Sequence, residues 1–146
     1  MLRAGVRTVK AAPALRAMTV VLVSLVVAGC FAHRYPGLLE RHLEVLGLYA
    51  DKLQTLAEDD RTVAAQDWGE FTYPLQRARE FEHVAASRYP ERASLKAFQR
   101  ALEAYAYLVA DPAILSAPDA AADVAAKVTA FRAAATAARE ALATER

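Results

Sequence analysis

The chain has 146 residues, of which 55% are hydrophobic and 24% charged, and its formal net charge is +1. That length accommodates one domain and a leader, but not two ordinary domains. With 18 basic and 17 acidic residues in all, the chain lacks the basic excess that nucleic-acid binding needs, so no nucleic-acid partner is expected.

The first 32 residues have the pattern of an export signal. Residues 1–16 carry four basic side chains and no acidic ones, and residues 17–32 form an uncharged apolar run. A basic segment followed by a short apolar one that ends in small residues is typical of a secretory signal peptide. The run has 16 residues, whereas a helix that spans a bilayer needs about 20. We therefore predict a cleaved leader, with an uncleaved N-terminal anchor as the alternative.

The chain has one cysteine, Cys30, and it directly follows Ala28 and Gly29. A lone cysteine in an exported chain cannot form an intramolecular disulfide, which leaves intermolecular pairing or a modified thiol. Two small residues before it suit a peptidase pocket, so cleavage between Gly29 and Cys30 and modification of the thiol are predicted. The alternative is a small apolar residue that merely ends the run.

The segment Val27-Ala28-Gly29-Cys30 resembles the lipobox of bacterial lipoproteins, and the resemblance covers residues 1–30 only. It implies that the Cys30 thiol receives diacylglycerol, that the leader is cut before it, and that the new amine is acylated with a fatty acid such as palmitate. Val27 stands where leucine is more usual. Phe31, rather than aspartate, follows the cysteine, which implies the periplasmic face of the outer membrane in a double-membraned source. Several acyl chains would anchor the protein stably.

The expected mature chain comprises residues 30–146. It has 117 residues, of which 14 are basic and 17 acidic, so its formal net charge is −3. Residues 30–35 are predicted to form a lipidated tether, in which five extended residues reach only about 17 Å. Residues 36–146 are predicted to form one helical domain close to the membrane, with no cofactor beyond the covalent lipid.

Apolar residues recur every seven positions in four segments, as they do on one face of a helix. The first helix is expected from Pro36 to Glu58, and the second from Thr62 to Arg88. Gly69 and Pro74 disturb the second segment, and a kink or break is expected near 69–74 because proline removes a helical hydrogen bond. The positions predicted to be buried in the four helices include Leu39, Leu46, Leu53, Phe71, Ala78, Ala85, Leu95, Leu102, Val109, Val124, Phe131 and Ala138.

The third helix is expected from Pro90 or Ser94 to about Ala110, where Asp111-Pro112 ends it. In the connection that follows, Ile114 and Leu115 are expected to cover the end of the core.

The fourth helix is expected to begin within Ser116–Asp119 and to reach nearly to Thr144. Ser116 is the predicted N-cap, Pro118 suits the first turn, and the Asp119 carboxylate favours the positive end of the helix dipole. No segment alternates as a strand would. The predicted fold is therefore an all-α, antiparallel four-helix bundle, with a three-helix bundle containing one long kinked helix as the alternative.

His42 and Tyr49 are the candidate ligand-binding residues, because they lie seven residues apart on the apolar face of the first helix. His42 could hold a metal or haem, or bind a small ligand together with nearby tyrosines. The alternative is a core or rim histidine bonded to a tyrosine or carboxylate of another helix. A single helical histidine makes no metal site, so the alternative is favoured and no metal site is assigned.

Glu80 and His83 have the Glu-x-x-His spacing of carboxylate-bridged di-iron bundles, but the motif occurs once and both residues are predicted to be solvated. Among the aromatic residues, Tyr35, Tyr49 and Tyr105 are expected in the core with their hydroxyls at its rim.

Two further aromatic residues lie off the main stripes. Trp68 is expected to pack with its indole N–H near water, and Tyr107 is expected to mark a contact surface.

The chain contains no nucleophile elbow, phosphate-binding glycine loop, CxxC pair or HExxH motif, and it is predicted not to be an enzyme. We expect a membrane-anchored periplasmic lipoprotein that binds an unidentified envelope protein or supports an envelope assembly. The alternative is a small-ligand or metal-binding bundle. A ligand-binding bundle should have an internal cavity at His42, whereas an interaction module should have a filled core and an exposed apolar patch. The oligomeric state is left open.

Overall fold

The computed structural model describes residues 13–145, with side chains from residue 33 onward. Its four α-helices are α1 (Pro13–Glu58), α2 (Gly69–Arg88), α3 (Ala93–Leu108) and α4 (Ala120–Thr144). Short 3-10 turns lie at Ala65–Asp67 and Pro112–Ser116, and residues 13–145 include no strand. The predicted all-α bundle of four helices is confirmed.

The chain divides into two units, with the boundary between Tyr35 and Pro36. Gly29 and Cys30, the predicted cleavage and lipidation site, lie outside the residues whose side chains are described. The leader, the tether and the anchor therefore stay predictions. None of the described helices is both long enough and apolar enough to cross a membrane.

The predicted end of the first helix at Glu58 is confirmed, but its predicted start at Pro36 is wrong. Helix α1 begins at Pro13 and includes Pro36 in its interior. A proline removes one backbone hydrogen bond and can kink a helix without ending it, which the sequence-based boundary did not take into account. Residues 31–35 are accordingly helical.

The break expected near 69–74 lies at the start of that range, just before Gly69, and Pro74 does not interrupt α2. Residues 61–64 are not helical, so the predicted start at Thr62 is wrong, and α2 runs without interruption through Pro74. Pro74 is the sixth residue of α2, so its missing N–H deprives only the carbonyl of Glu70 of an intrahelical donor. One lost bond near the start of a helix is a modest defect, and the side chain of Pro74 is buried.

The start of the fourth helix also differs from the prediction. Ser116 ends the second 3-10 turn, and α4 begins at Ala120 with Asp119 in the N-cap position, where it makes no side-chain capping bond. The side chain that does cap locally is Asp111, which accepts a 2.9 Å hydrogen bond from the N–H of Ala113. The predicted burial of Ile114 and Leu115 is confirmed.

Helices α1 and α2 run antiparallel, as their ring contacts show. The ring centroids of His42 and Phe81 lie 5.0 Å apart, and those of Tyr49 and Phe71 lie 6.1 Å apart. In one direction along the interface, residue numbers therefore rise in α1 and fall in α2. The two helices meet through aromatic side chains on facing stripes.

The other two neighbouring pairs are also antiparallel. Phe81 of α2 contacts Phe98 of α3 at 5.8 Å between ring centroids, and the Tyr105 hydroxyl of α3 donates a 3.0 Å hydrogen bond to the Phe71 carbonyl of α2. Tyr105 in turn lies 5.5 Å from the ring of Phe131 of α4.

Near the chain's end, the Glu145 carboxylate meets Ser94 at the start of α3. The twelve repeat positions named above are buried, whereas His42 and Tyr49, which repeat at seven on the same face of α1, are half-buried.

Candidate functional site

His42 and Tyr49 line one pocket on the surface of the bundle, between α1 and α2. The pocket has a volume of about 230 Å³, and both side chains are half-buried. Its lining residues are Arg41, His42, Val45, Tyr49, Tyr73, Pro74 and Arg77. The sequence analysis placed these two candidates in the bundle interior, and the structure instead brings them together in an open surface pocket.

A second pocket of about 300 Å³ continues from Tyr49 toward the end of α1. It is lined by Leu48, Tyr49, Lys52 and Glu70. Because Tyr49 lines both pockets, we treat the two together and call them the α1–α2 groove. In the antiparallel register, Arg41 and His42 face Arg77 at one end of this groove, and Lys52 faces Glu70 at the other.

The middle of the groove is apolar and open to solvent. Leu48 on α1 is 64% exposed and Tyr73 on α2 is 61% exposed, which are high values for side chains of this size. Val45 and Tyr49 lie beside them on α1 and are half-buried. Two large exposed side chains on facing helices, with half-buried apolar residues between them, form a patch of the kind that binds other molecules.

His42 is packed by rings rather than held by polar groups. Its imidazole lies 5.0 Å from the ring of Phe81 and 6.5 Å from that of Phe98. Burial lowers the pKa of His42, and the positive charges of Arg77 and Arg41 lower it further. The imidazole is therefore mainly neutral at pH 7. His42 was expected to bond to a tyrosine or carboxylate of another helix. It instead packs against aromatic rings of α2 and α3.

The two arginines at this end of the groove differ in their pairing. The Arg77 guanidinium forms an ion pair with Glu80, one turn further along α2. No ion pair among the described residues includes Arg41, which is exposed. We call Arg41, His42 and Arg77 the arginine end of the groove. It carries two guanidinium groups, of which that of Arg77 is paired with Glu80.

At the opposite end, the charges are balanced. The Lys52 ammonium lies 2.6 Å from a Glu70 carboxylate oxygen, and it also lies 5.6 Å from the centroid of the Phe71 ring. Both members of the ion pair are about half exposed, so the pair adds little to stability. Because Lys52 and Glu70 neutralise each other, the pair contributes no net charge to the groove beside Leu48.

Glu80 and His83 do not form a metal site. Both are exposed, and Glu80 is paired with Arg77. Both line a wider groove of about 690 Å³ between α2 and α3, where Arg79 lies beside them. Among the described residues, no group of three potential ligands could hold a metal ion.

The Tyr105 hydroxyl and the Trp68 indole are buried and bond to backbone carbonyls instead of reaching water. Tyr35 and Tyr105 are fully buried, and burial raises the pKa of Tyr105 well above its usual value. Trp68 is also buried and donates a 3.0 Å hydrogen bond to the Val109 carbonyl, so the expected contact with water is wrong. Tyr107 is 67% exposed, with the Lys127 ammonium 4.6 Å from its ring centroid.

Sequence reasoning missed the α2 side of the groove. Arg41 and Lys52 are exposed on α1, but periodicity along one helix does not show what lies across from it. Tyr73, Pro74 and Arg77 share a face of α2 through their spacings of three and four residues. That spacing was a usable signal, and it was obscured by the expectation of a kink or break near 69–74.

Comparison of the chain with protein-family models, with curated proteins and with solved structures finds no match.

Proposed function

We propose that this protein is a membrane-anchored periplasmic lipoprotein whose helical bundle is a docking module for another envelope protein. The anchor would be the acylated Cys30, at the periplasmic face of the outer membrane if the source has two membranes. Support for this address comes from the basic leader, the apolar run and the lipobox-like Val27-Ala28-Gly29-Cys30. The bundle would be the part of the molecule presented to the partner.

The observation that carries the docking role is the exposed apolar middle of the α1–α2 groove. Leu48 and Tyr73 are 64% and 61% exposed on facing helices, while residues such as Leu46, Phe71 and Phe98 fill the core. An interaction module needs both a filled core and an uncovered apolar patch. Tyrosine is among the residues enriched at protein interfaces, where its ring supplies contact area and its hydroxyl stays hydrated.

The alternative proposal is a binding site for a small ligand at His42 and Tyr49. The pocket of about 230 Å³ that both residues line favours it. Ligand pockets usually enclose most of a ligand and occupy roughly 300–1,000 Å³, so this pocket is small for the role. The two roles are separable, since a small ligand would not need Leu48.

Crosslinking in intact membranes tests the docking role. A photo-crosslinking amino acid at position 73 should capture a discrete partner, and the same group at the exposed position 140 on α4 should not. Introducing Leu48→Glu should then abolish capture from position 73. The matched control is Val84→Glu, because Val84 is an apolar residue of α2 that is 43% exposed outside the groove. Capture that survives Leu48→Glu would refute the docking role.

A further inference from the structure

The strongest unexplained feature of the groove is the imbalance of charge at its arginine end. Arg41 and Arg77 line the same pocket, and both act on His42, which lies between Phe81 and the solvent. Glu80 pairs with Arg77, whereas no ion pair among the described residues includes Arg41. Like charges held close together favour an anion from outside the chain.

The two guanidinium groups also determine which anion fits. A planar guanidinium presents parallel N–H donors that match the two oxygens of a carboxylate. The floor beside them is apolar, formed by Val45, Tyr49 and Pro74. The ligand should therefore join a carboxylate to an apolar body, rather than be a bare or multiply charged anion.

The groove extends beyond the two arginines that would bind the ligand's carboxylate. Its length therefore indicates what kind of ligand carries that carboxylate. Arg41 and Leu48 are seven residues apart on α1, which corresponds to about 10 Å along the helix axis. A partner helix that presents an acidic side chain and an apolar side chain two turns apart has the same spacing. At the far end, Lys52 and Glu70 neutralise each other, so only one end of the groove favours negative charge.

We propose that the α1–α2 groove receives an acidic amphipathic helix of the partner protein, with a carboxylate side chain of that helix bound between Arg41 and Arg77. The apolar side of the helix covers Leu48 and Tyr73. The charged end sets the direction in which the partner helix lies, because reversing it would leave both arginines without the carboxylate. This assignment rests on the proposed docking function and specifies the chemistry of its partner.

Two synthetic helical peptides test the assignment. The first is alanine-based and carries one Glu, with Leu four and seven residues after it; the second has Gln in place of the Glu. On the full bundle, the Glu peptide should bind about five- to tenfold more tightly than its Gln twin, since a charge-assisted contact to arginine is lost in the twin. Binding of the Glu peptide should also raise the pKa of His42, followed by NMR, because a nearby anion favours the imidazolium.

Matched variants of the protein assign the effect to the arginine end. Arg41→Gln and Arg77→Gln should each reduce the preference for Glu over Gln, and the double variant should remove it. Arg79→Gln is the control, because Arg79 lies two residues from Arg77 on the same helix but lines the α2–α3 groove. All three arginines are exposed, so these variants should fold.

The outcomes separate this assignment from the docking role itself. Equal binding of the two peptides, or a preference that survives the double variant, would refute the carboxylate site and leave the docking role standing. Failure of both peptides, together with Leu48-dependent crosslinking in membranes, would show that the partner is not an acidic helix. If free phenylacetate raises the pKa of His42 while the Glu peptide does not bind, the occupant is a small carboxylate and the assignment to a helix is wrong.

Discussion

The carboxylate of Glu145 accepts hydrogen bonds from both donor groups of Ser94, although the two residues are 51 positions apart in the chain. One oxygen accepts a 2.8 Å hydrogen bond from the Ser94 backbone N–H, and the other accepts a 2.6 Å bond from its hydroxyl. Ser94 is the second residue of α3 and is fully buried, where the first backbone N–H groups of a helix have no partner within it. Glu145, which follows α4, thus caps the start of α3 and links the end of α4 to it.

Removing this cap should destabilise the bundle. Glu145→Ala removes the carboxylate that accepts from the Ser94 N–H and hydroxyl, which should lower the free energy of unfolding by about 1–3 kcal/mol. Urea denaturation followed by circular dichroism measures the loss. Glu140→Ala, at an exposed position on α4, is the control and should change stability by less than about 0.5 kcal/mol.

A double-mutant cycle with Ser94→Ala then isolates the hydroxyl bond. The two substitutions should cost less together than the sum of their separate effects, because each removes the same contact. Strictly additive losses would contradict a direct bond between Ser94 and Glu145.

Asp60 offers a substitution that should stabilise the protein. It has φ of 54°, in the left-handed region, just after α1. The N–H of Asp60 bonds to the Ala57 carbonyl at 3.3 Å, and that of Arg61 bonds to the Leu56 carbonyl at 2.8 Å, which is the hydrogen-bond pattern of a Schellman cap. Glycine adopts this conformation without steric cost, so Asp60→Gly should raise the free energy of unfolding by about 0.5–1 kcal/mol.

The neighbouring residue provides the control for that substitution. Asp59 does not have positive φ, so Asp59→Gly only increases the freedom of the unfolded chain and should lower stability by roughly 0.5–1 kcal/mol. Equal effects of the two glycine substitutions, measured by urea denaturation, would contradict the role of the left-handed conformation at position 60.

The elements that depend on local sequence were predictable, whereas contacts across helices were not. A repeat of seven identified the buried faces, and Leu39, Phe71 and Val124 at such positions are fully buried. The cap on Ser94 depends on where Glu145 arrives in space, which no local pattern encodes. The same holds for Arg77, whose position opposite Arg41 follows from the register of α1 against α2.

Prolines were the main source of error in the helix boundaries. Pro36 was expected to begin the first helix, and Pro74 was expected within a kink or break near 69–74, yet both lie inside helices. A proline costs a helix one hydrogen bond and some strain, a few kcal/mol that packing can offset. Pro74 is buried in α2, so its ring contributes apolar contact that a sequence-based boundary rule does not include.

His42 should make the stability of the bundle depend on pH. Its pKa in the folded protein is lowered from the ordinary value of 6.5, mainly by burial and further by Arg77 and Arg41. Below pH 6.5 the unfolded chain therefore takes up the proton more readily than the folded one. The free energy of unfolding should fall as pH drops through 6.5 and should level off, for this group, below the folded pKa.

Replacing the histidine should remove that part of the pH dependence. Urea denaturation between about pH 5 and pH 7.5 should give a smaller slope for His42→Phe than for the unmodified protein. His83→Gln, at an exposed position of α2, is the control for loss of an imidazole outside the groove. If His83→Gln flattens the slope and His42→Phe does not, the assignment of this pH dependence to His42 is wrong.

Lipidation at Cys30 would give the mature protein a specific intact mass. Membrane-extracted protein should have the intact mass of a chain that starts at Cys30 and carries diacylglycerol and an amide-linked acyl group, as the resemblance of Val27–Cys30 to a lipobox implies. Cys30→Ala should block both acylation and cleavage, so the leader should remain attached. Ser24→Ala, a substitution elsewhere in the apolar run, is the control and should leave processing intact. A soluble product, or a Cys30→Ala chain that is cut at the same bond, would instead indicate an ordinary secretory signal peptide.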